Sequence, residues 1–211
     1  MTAGQRYFMF EMGMICAFLG ACSILPQAET IELYQLPSSS ITNTAHADKL
    51  PGTVRVSTPF GSRVTDSQQV LIVNEDNRIN AYKGARWSDS ASVLVRNRLT
   101  NAFRADGRLN TIGHDNADLL PDLELDGELA AFQVEYVEGK PAVIIRMYAT
   151  LVQPARYKAI ATNGFEVMQR VEGTGMPEVI KAFGKASDRL AGEIVGWTVE
   201  QSKALQSKTQ E

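Results

Sequence analysis

The stretch that decides the fold is "AYKGARWSDSASVLVRNRLTNAFRADGRL", which spans Ala81–Leu109. From about Ser88 to Ala105, apolar residues recur every three or four positions, which is the spacing of one face of an α-helix. We therefore predict a strand that leads directly into an amphipathic helix. The apolar face of this helix comprises Ala91, Leu94, Val95, Leu99, Ala102 and Phe103, and its water-facing side comprises Arg96, Asn97, Thr100, Asn101 and Arg104.

Both ends of this helix have candidate capping residues. Ser88 or Asp89 can accept a hydrogen bond from a free backbone N–H of the first turn. Asp106 and Gly107 follow the last apolar residue. A glycine at that position can adopt the left-handed conformation that commonly ends a helix.

The junction between the strand and the helix holds the densest candidate site, which comprises Tyr82, Arg86 and Trp87. Aromatic residues and arginine often anchor protein–protein interfaces, so the three form a candidate interface. Alternatively, Trp87 precedes the helix and packs into the core as a hydrophobic staple does. We favour the packing role for Trp87 and a contact role for Arg86.

Strand patterns surround this unit on both sides. Upstream, we predict strands at Ile31–Leu36 and in "TVRVSTP" (53–59), then a hairpin in "QQVLIVNEDNRINAYKGARW" with its turn at 75–78. Downstream, the strand predictions are 123–137, 142–152 and 157–170, which form an antiparallel meander. A long final helix follows Gly173, Gly175 and Pro177, with apolar positions at Val179, Ile180, Phe183, Ala186, Leu190, Ile194 and Trp197.

These elements predict an α+β fold. Its sheet is mainly antiparallel, and one amphipathic helix after a hairpin and a long C-terminal helix pack on the same face. The predicted boundaries are a signal segment at 1–21, a tether at 22–30, a folded domain at 31–205 and a polar tail at 206–211.

Composition limits the function classes. The chain has 211 residues, a hydrophobic content of 44% and a net charge of −3, so the basic face that nucleic-acid binding needs is not expected. Its two cysteines, Cys16 and Cys22, both lie near the start. This distribution excludes a fold held together by disulfides and a zinc site built on cysteine clusters.

The first residues form a targeting pattern. Arg6 supplies positive charge, the segment "MGMICAFL" (12–19) is apolar, and small residues precede Cys22. The sequence Leu19-Gly20-Ala21-Cys22 resembles the lipobox of bacterial lipoproteins, in which a glyceride is attached to the cysteine thiol and the signal is cut before it. The resemblance implies lipid attachment at Cys22. Ser23, in place of an aspartate, implies retention at the outer membrane.

Catalytic motifs are missing from the sequence. It contains no GxSxG, GxGxxG or GxxxxGK[ST] pattern. His114 lies close to Asp115 and Asp118, and a metal-dependent or hydrolytic site there is the alternative to a solvated loop. A row of acidic residues that alternates along the following strand is expected to face solvent: Asp122, Glu124, Asp126 and Glu128. We predict no catalytic residues, no metal and no cofactor.

Taken together, these patterns resemble the ABC-type transport auxiliary lipoprotein family, the PqiC/YmbA-like group. Four features carry the resemblance over about Cys22–Gln201: the lipobox, an early Tyr34-Gln35-Leu36 strand followed by proline, the strand–junction–helix unit of 81–109, and the meander closed by a C-terminal helix.

The resemblance implies a non-enzymatic protein. Members are periplasmic, anchored to the outer membrane by lipid, and act beside MCE-domain proteins in lipid transport that often involves an ABC transporter. A homo-oligomer is also implied. Two alternatives remain open from the residues themselves: a periplasmic hydrolase that uses His114, and a direct lipid carrier.

Overall fold

A nine-stranded sheet carries the fold in the computed structural model, which describes residues 30–42, 49–114 and 120–207. Two α-helices pack on it, α1 (Ala91–Asp106) and α2 (Met176–Ser207), and a short 3₁₀ helix spans Pro154–Arg156. The strands are β1 (Glu32–Tyr34), β2 (Leu50–Val56), β3 (Phe60–Gly61), β4 (Gln69–Val73), β5 (Ile79–Trp87), β6 (Leu109–His114), β7 (Leu123–Val137), β8 (Lys140–Gln153) and β9 (Lys158–Arg170).

Strand β7 is the centre of the sheet. Along one side it pairs with β2 and β3 in its first half and with β4 in its second half. Along the other side it pairs antiparallel with β8, which in turn pairs antiparallel with β9. Strands β4 and β5 form the predicted antiparallel hairpin. The predicted α+β class, hairpin and meander are therefore confirmed.

Five pairings in the described part of the sheet are parallel, and the sequence pattern did not predict them. Strand β1 runs parallel to β5, β2 parallel to both β6 and β7, and β3 and β4 parallel to β7. The three antiparallel pairings still hold most of the paired residues. Parallel partners are distant in sequence and leave no local turn signal, so strand patterns alone do not reveal them.

Both helices cover the same face of the sheet. Helix α1 packs over β2 and β6, helix α2 over β8 and β9, and the two helices contact each other. One apolar core lies between the layers, as predicted, and its largest members include Trp87, Leu99, Phe103, Phe132, Ile145, Phe183 and Leu190. Neither helix packs on the opposite face, which we call the open face.

Helix α1 begins later than predicted, at Ala91 rather than Ser88. The reason is that the Ser88 N–H donates to the Tyr34 carbonyl of β1, which holds this residue in the sheet. Ser90 occupies the N-cap position, but its side chain makes no capping hydrogen bond. Instead the Ser92 N–H donates to the Asp66 carboxylate at 3.1 Å, so a distant loop supplies the cap.

The other end of α1 follows the prediction. Gly107 has φ 72° and ψ 0°, and its N–H donates to the Phe103 carbonyl at 3.2 Å. One helix position differs from the prediction, because Thr100 is buried rather than water-facing. Its hydroxyl is satisfied inside the helix by donation to the Arg96 carbonyl at 2.9 Å.

Several strand boundaries also differ from the prediction, among them β2, which spans Leu50–Val56 rather than 53–59. Strand β1 is shorter than predicted because the chain leaves the sheet after Tyr34 and crosses toward the helices. Strand β9 begins at Lys158 because Tyr157 adopts the left-handed conformation that ends the preceding 3₁₀ turn. Among the described residues, neither helix has the length and apolarity that crossing a membrane requires.

Candidate functional site

The predicted lipid-attachment site lies outside the described residues. Cys22 and the lipobox residues Leu19, Gly20 and Ala21 belong to residues 1–29. The described chain starts at Thr30 and enters the sheet as β1, beside β5. Lipid attachment at Cys22 therefore stays a prediction.

Trp87 lies in the core. Its side chain is fully buried, and its ring packs against Phe132 and Phe183 with centroid separations of 5.7 and 5.0 Å. The indole Nε1 has no hydrogen-bond partner among the described residues. This buried location agrees with the packing role that we favour for Trp87. Because the side chain is buried, a partner protein could not contact it.

The structure does not bring Tyr82, Arg86 and Trp87 together as one surface. Arg86 is exposed and lies opposite Leu33 of β1. Tyr82 is half-buried at the margin of the core. Burial raises the pKa of the Tyr82 hydroxyl, and the nearby Tyr136 adds to the rise. Arg86 is thus the member of the candidate interface that stands free at the surface.

A polar cluster that the sequence did not reveal joins the N-terminal segment to both helices. We call it the clasp; its centre is the ion pair between Arg98 of α1 and Asp188 of α2, with 2.6 Å between Nη1 and Oδ1. The exposed fractions of the two side chains are only 7% and 13%. Arg98 also donates through Nη2 to the Pro37 carbonyl. The guanidinium thereby holds both the second helix and the incoming chain.

Asp188 completes the clasp from the other side. One carboxylate oxygen accepts from the Ser39 hydroxyl at 2.7 Å, and the other accepts from the Ser40 hydroxyl at 2.7 Å and the Ser40 N–H at 2.8 Å. Burial alone would raise the pKa of Asp188. The hydrogen bonds from Ser40 and Ser39, together with the charge of Arg98, outweigh burial and hold the pKa below its ordinary value.

The backbone of the same segment packs closely on α2. A Cβ added to Gly184 would lie 3.0–3.2 Å from three carbons of Pro37, so the proline ring occupies the space that the glycine leaves free. We name residues 36–41 the strap, because they cross from the sheet margin to both helices. The clasp and this contact fix the strap to the body of the domain.

A signal for the clasp was present in the sequence. Arg98 lies four positions after Leu94 and four before Ala102, which places a charge on the apolar face of α1. A charged group at a buried position needs a partner. The sequence pattern did not identify Asp188 as the partner of Arg98, however, because the two residues are 90 positions apart in the chain.

The alternative of a metal-dependent or hydrolytic site concerns His114 and the acidic residues around it. Within residues 30–42, 49–114 and 120–207, no group of three or more His, Cys, Asp or Glu side chains could hold a metal ion. The side chain of His114, with Asp115 and Asp118, lies outside the described part, so the alternative site there is not tested. The predicted acidic row faces solvent at Asp122, Asp126 and Glu128, while Glu124 is half-buried and hydrogen-bonded to Ser57.

Two solved structures have a similar fold. A crystal structure of a Xanthomonas campestris protein of the DUF330 family has a TM-score of 0.75 at 22% identity, over 85% of this chain and 100% of that one. A hypothetical protein from Chlamydia trachomatis has a TM-score of 0.54 at 12% identity, over 74% and 99%. At these identities the likeness concerns the fold.

Comparison with curated sequences finds an uncharacterized protein of Bradyrhizobium diazoefficiens, 28% identical over 119 residues. The alignment covers 54% of this chain but only 30% of that longer protein. The model of the ABC-type transport auxiliary lipoprotein component matches residues 34–195, which include the last residue of β1, the strap, both sides of the clasp and most of α2. This chain belongs to the ABC-type transport auxiliary lipoprotein family.

Proposed function

We propose that this protein is an outer-membrane lipoprotein, anchored through Cys22, that acts as a non-enzymatic auxiliary component of an MCE-type lipid transport system. The observation that carries the proposal is the family match over residues 34–195, preceded in the same chain by Leu19-Gly20-Ala21-Cys22. A domain of this family that follows an acylated cysteine would be held at the membrane, where it could bind a partner protein.

The anchor requires chemistry that only Cys22 offers in this motif. Its thiol is the group that accepts the glyceride, and cleavage before it would free an amine for further acylation. A single acyl chain holds a protein only marginally at a membrane, whereas two or more anchor it stably. The second cysteine, Cys16, lies within the segment that would be removed and supplies a matched control.

The sequence leaves only a short link between the proposed anchor and the folded domain. Nine residues lie between Cys22 and Glu32 at the start of β1, so the two Cα atoms are ten residue steps and at most about 36 Å apart. From β1 the chain continues into the strap, which the clasp holds against both helices. The length of this link alone keeps the start of the domain within that distance of the anchored cysteine.

Placement at the outer membrane rests on Ser23. In lipoproteins of this kind an aspartate after the cysteine would favour the inner membrane, and this chain has serine. Density-gradient separation of the two membranes tests the placement. We expect wild type in the outer-membrane fraction and Ser23→Asp in the inner-membrane fraction; wild type in the inner membrane would refute this part of the proposal.

A binding role fits the described surface better than lipid carriage. A cavity with a largely apolar lining lies between the start of β2 and the end of α2 and has a volume of about 370 Å³, lined in part by Val54, Leu109, Leu123 and Leu205. Pockets for drug-sized ligands span about 300–1,000 Å³, so this cavity lies at the small end of that range. It is a poor fit for a lipid with two acyl chains.

The partner is tested by capture from native membranes. Full-length tagged protein is extracted in mild detergent, and co-purifying proteins are identified by mass spectrometry. We expect enrichment of an MCE-domain protein with wild type and with Cys16→Ser, and its loss with Cys22→Ser. Correct localisation of wild type without any MCE-domain protein in repeated captures would refute the proposed partner.

A further inference from the structure

The open face of the sheet carries an exposed aromatic patch. Tyr148 of β8 points away from the core, because its neighbours Met147 and Ala149 belong to the core. Its side chain is 47% exposed, and it lies directly across from Glu128 of β7 and Gly164 of β9. A Cβ on Gly164 would lie 3.2 Å from the Tyr148 ring, so the ring lies over the glycine.

Two carboxylates border this patch. Asp126 and Glu128 are exposed on β7, and Glu128 is the direct cross-strand neighbour of Tyr148. Neither carboxylate has an ion-pair partner within the part of the chain that the structure describes. We call Asp126, Glu128 and Tyr148 together the patch.

The turn between β8 and β9 presents the complementary chemistry. Tyr157 at its tip is 98% exposed and adopts φ 49° and ψ 40°, which costs a non-glycine residue about 1–2 kcal/mol. Arg156 and Lys158 flank it, and both are exposed without an ion-pair partner among the described residues. The turn thus projects one aromatic ring between two free positive charges.

The turn cannot reach the patch of its own chain. Val152 pairs with Ala159 just after the turn, and Tyr148 lies four residues farther along β8, about 13 Å away along the strand. Occupation of the patch by this turn therefore requires another molecule. Two cations beside a tyrosine match two carboxylates beside a tyrosine, and tyrosine and arginine are frequent interface anchors.

We propose that the patch is the docking site for the β8–β9 turn of a second copy of this chain. Tyr157 of one copy packs on Tyr148 of the other, while Arg156 and Lys158 approach Asp126 and Glu128. The inference goes beyond the proposed function: it takes up the homo-oligomer that the family resemblance implies and names the surfaces that would form it. An anionic membrane would attract the turn but would leave the acidic patch without a partner.

Site-specific photo-crosslinking in cells tests this contact on the full-length chain. A photoreactive amino acid at position 157 is expected to crosslink two copies, and peptide mapping should place the link on β7 or β8 near Tyr148. The same probe at Tyr136, an exposed tyrosine at the other end of β7, is the matched control and should give no such link. Crosslinks only to lipid or to a different protein would overturn the inference.

Charge reversal supplies a second, independent readout. Replacing both Arg156 and Lys158 by glutamate should reduce the crosslinked species by roughly tenfold or more, since like charges across an interface repel. Adding Asp126→Lys and Glu128→Lys should restore it. These exposed substitutions leave the core intact, so circular dichroism should be unchanged. Failure of the paired reversal to restore crosslinking would contradict the proposed pairing.

The two proposals can fail separately. Lipid attachment at Cys22 and capture of an MCE-domain protein do not depend on Tyr157. If the crosslink is missing while both of those results hold, the docking inference alone is wrong. If the crosslink forms but Cys22 carries no lipid, the anchoring proposal alone is wrong.

Discussion

Removal of the Asp188 carboxylate should destabilise the domain more than any exposed charge substitution. In Asp188→Ala, the Arg98 guanidinium loses its ionic partner while only 7% of its side chain is exposed to water. The donors of Ser39 and Ser40 lose their acceptor in the same substitution. Of the clasp's described hydrogen bonds to the strap, the one from Arg98 to the Pro37 carbonyl would remain.

The expected loss of unfolding free energy follows from the burial of the Arg98–Asp188 ion pair. Breaking a buried ion pair by removing one partner typically costs about 3–5 kcal/mol, because the other charge is left without compensation. Asp188 retains 13% exposure, so we expect the low end, about 3 kcal/mol. With a urea m-value of about 2 kcal/mol/M, the unfolding midpoint should fall by about 1.5 M.

Equilibrium urea unfolding of the purified protein measures this shift. The matched control is Lys185→Ala, which breaks an exposed pair with Glu172 across 3.5 Å and should change stability by less than about 1 kcal/mol. Replacing Arg98 and Asp188 together by leucine should recover much of the loss, since no charge is then left buried. Equal, small effects of Asp188→Ala and Lys185→Ala would refute the account of the clasp.

The same carboxylate predicts a pH dependence. Because its pKa is lower in the folded state than in the unfolded state, Asp188 binds a proton less readily when folded. Its stabilising contribution is complete well above the ordinary aspartate pKa of about 3.9 and is lost as the pH falls below that value toward the lower folded pKa. Asp188→Asn should flatten this part of the stability profile; an unchanged profile would contradict the assignment.

The remaining predictions concern packing. Trp87→Ala should cost about 3–5 kcal/mol and lower the Tm by about 10 °C, whereas Arg86→Ala should change stability by less than about 0.5 kcal/mol; the reverse order in a thermal melt would show that the junction is misplaced. Gly184→Ala should be less stable than Gly192→Ala by about 1–3 kcal/mol, because its Cβ would meet Pro37 while that of Gly192 meets nothing within 4 Å. Equal midpoints for the two glycine variants would argue against the strap contact.

The sequence predicted those parts of the fold that depend on local pattern. Helix α1, its Gly107 cap, the hairpin and the meander all follow from spacing and turn chemistry between neighbours in the chain. The late start of α1 could not be predicted from local pattern, because the Tyr34 carbonyl that holds Ser88 in the sheet lies more than fifty residues upstream. Parallel pairing of β1 with β5 escaped prediction for the same reason.

In the candidate site, too, local features could be predicted from the sequence and contacts between distant residues could not. Trp87 could be assigned to the core because an aromatic residue before an amphipathic helix commonly packs there, and its ring contacts bear this out. The clasp could not be assigned, because it requires knowing that α1 and α2 lie side by side. A charge on an apolar helix face, as at Arg98, indicates that a partner exists but not which residue it is.

The most direct measurement of the central claim is the mass of the mature N-terminus. Full-length protein expressed in a diderm bacterium is purified from membranes, and its N-terminal peptide is analysed by mass spectrometry. We predict a chain that begins at Cys22 and carries acyl groups, with Cys16→Ser indistinguishable from wild type and Cys22→Ser retained as an unacylated precursor. A mature protein that still begins at Met1, or that carries an unmodified Cys22, would contradict the account.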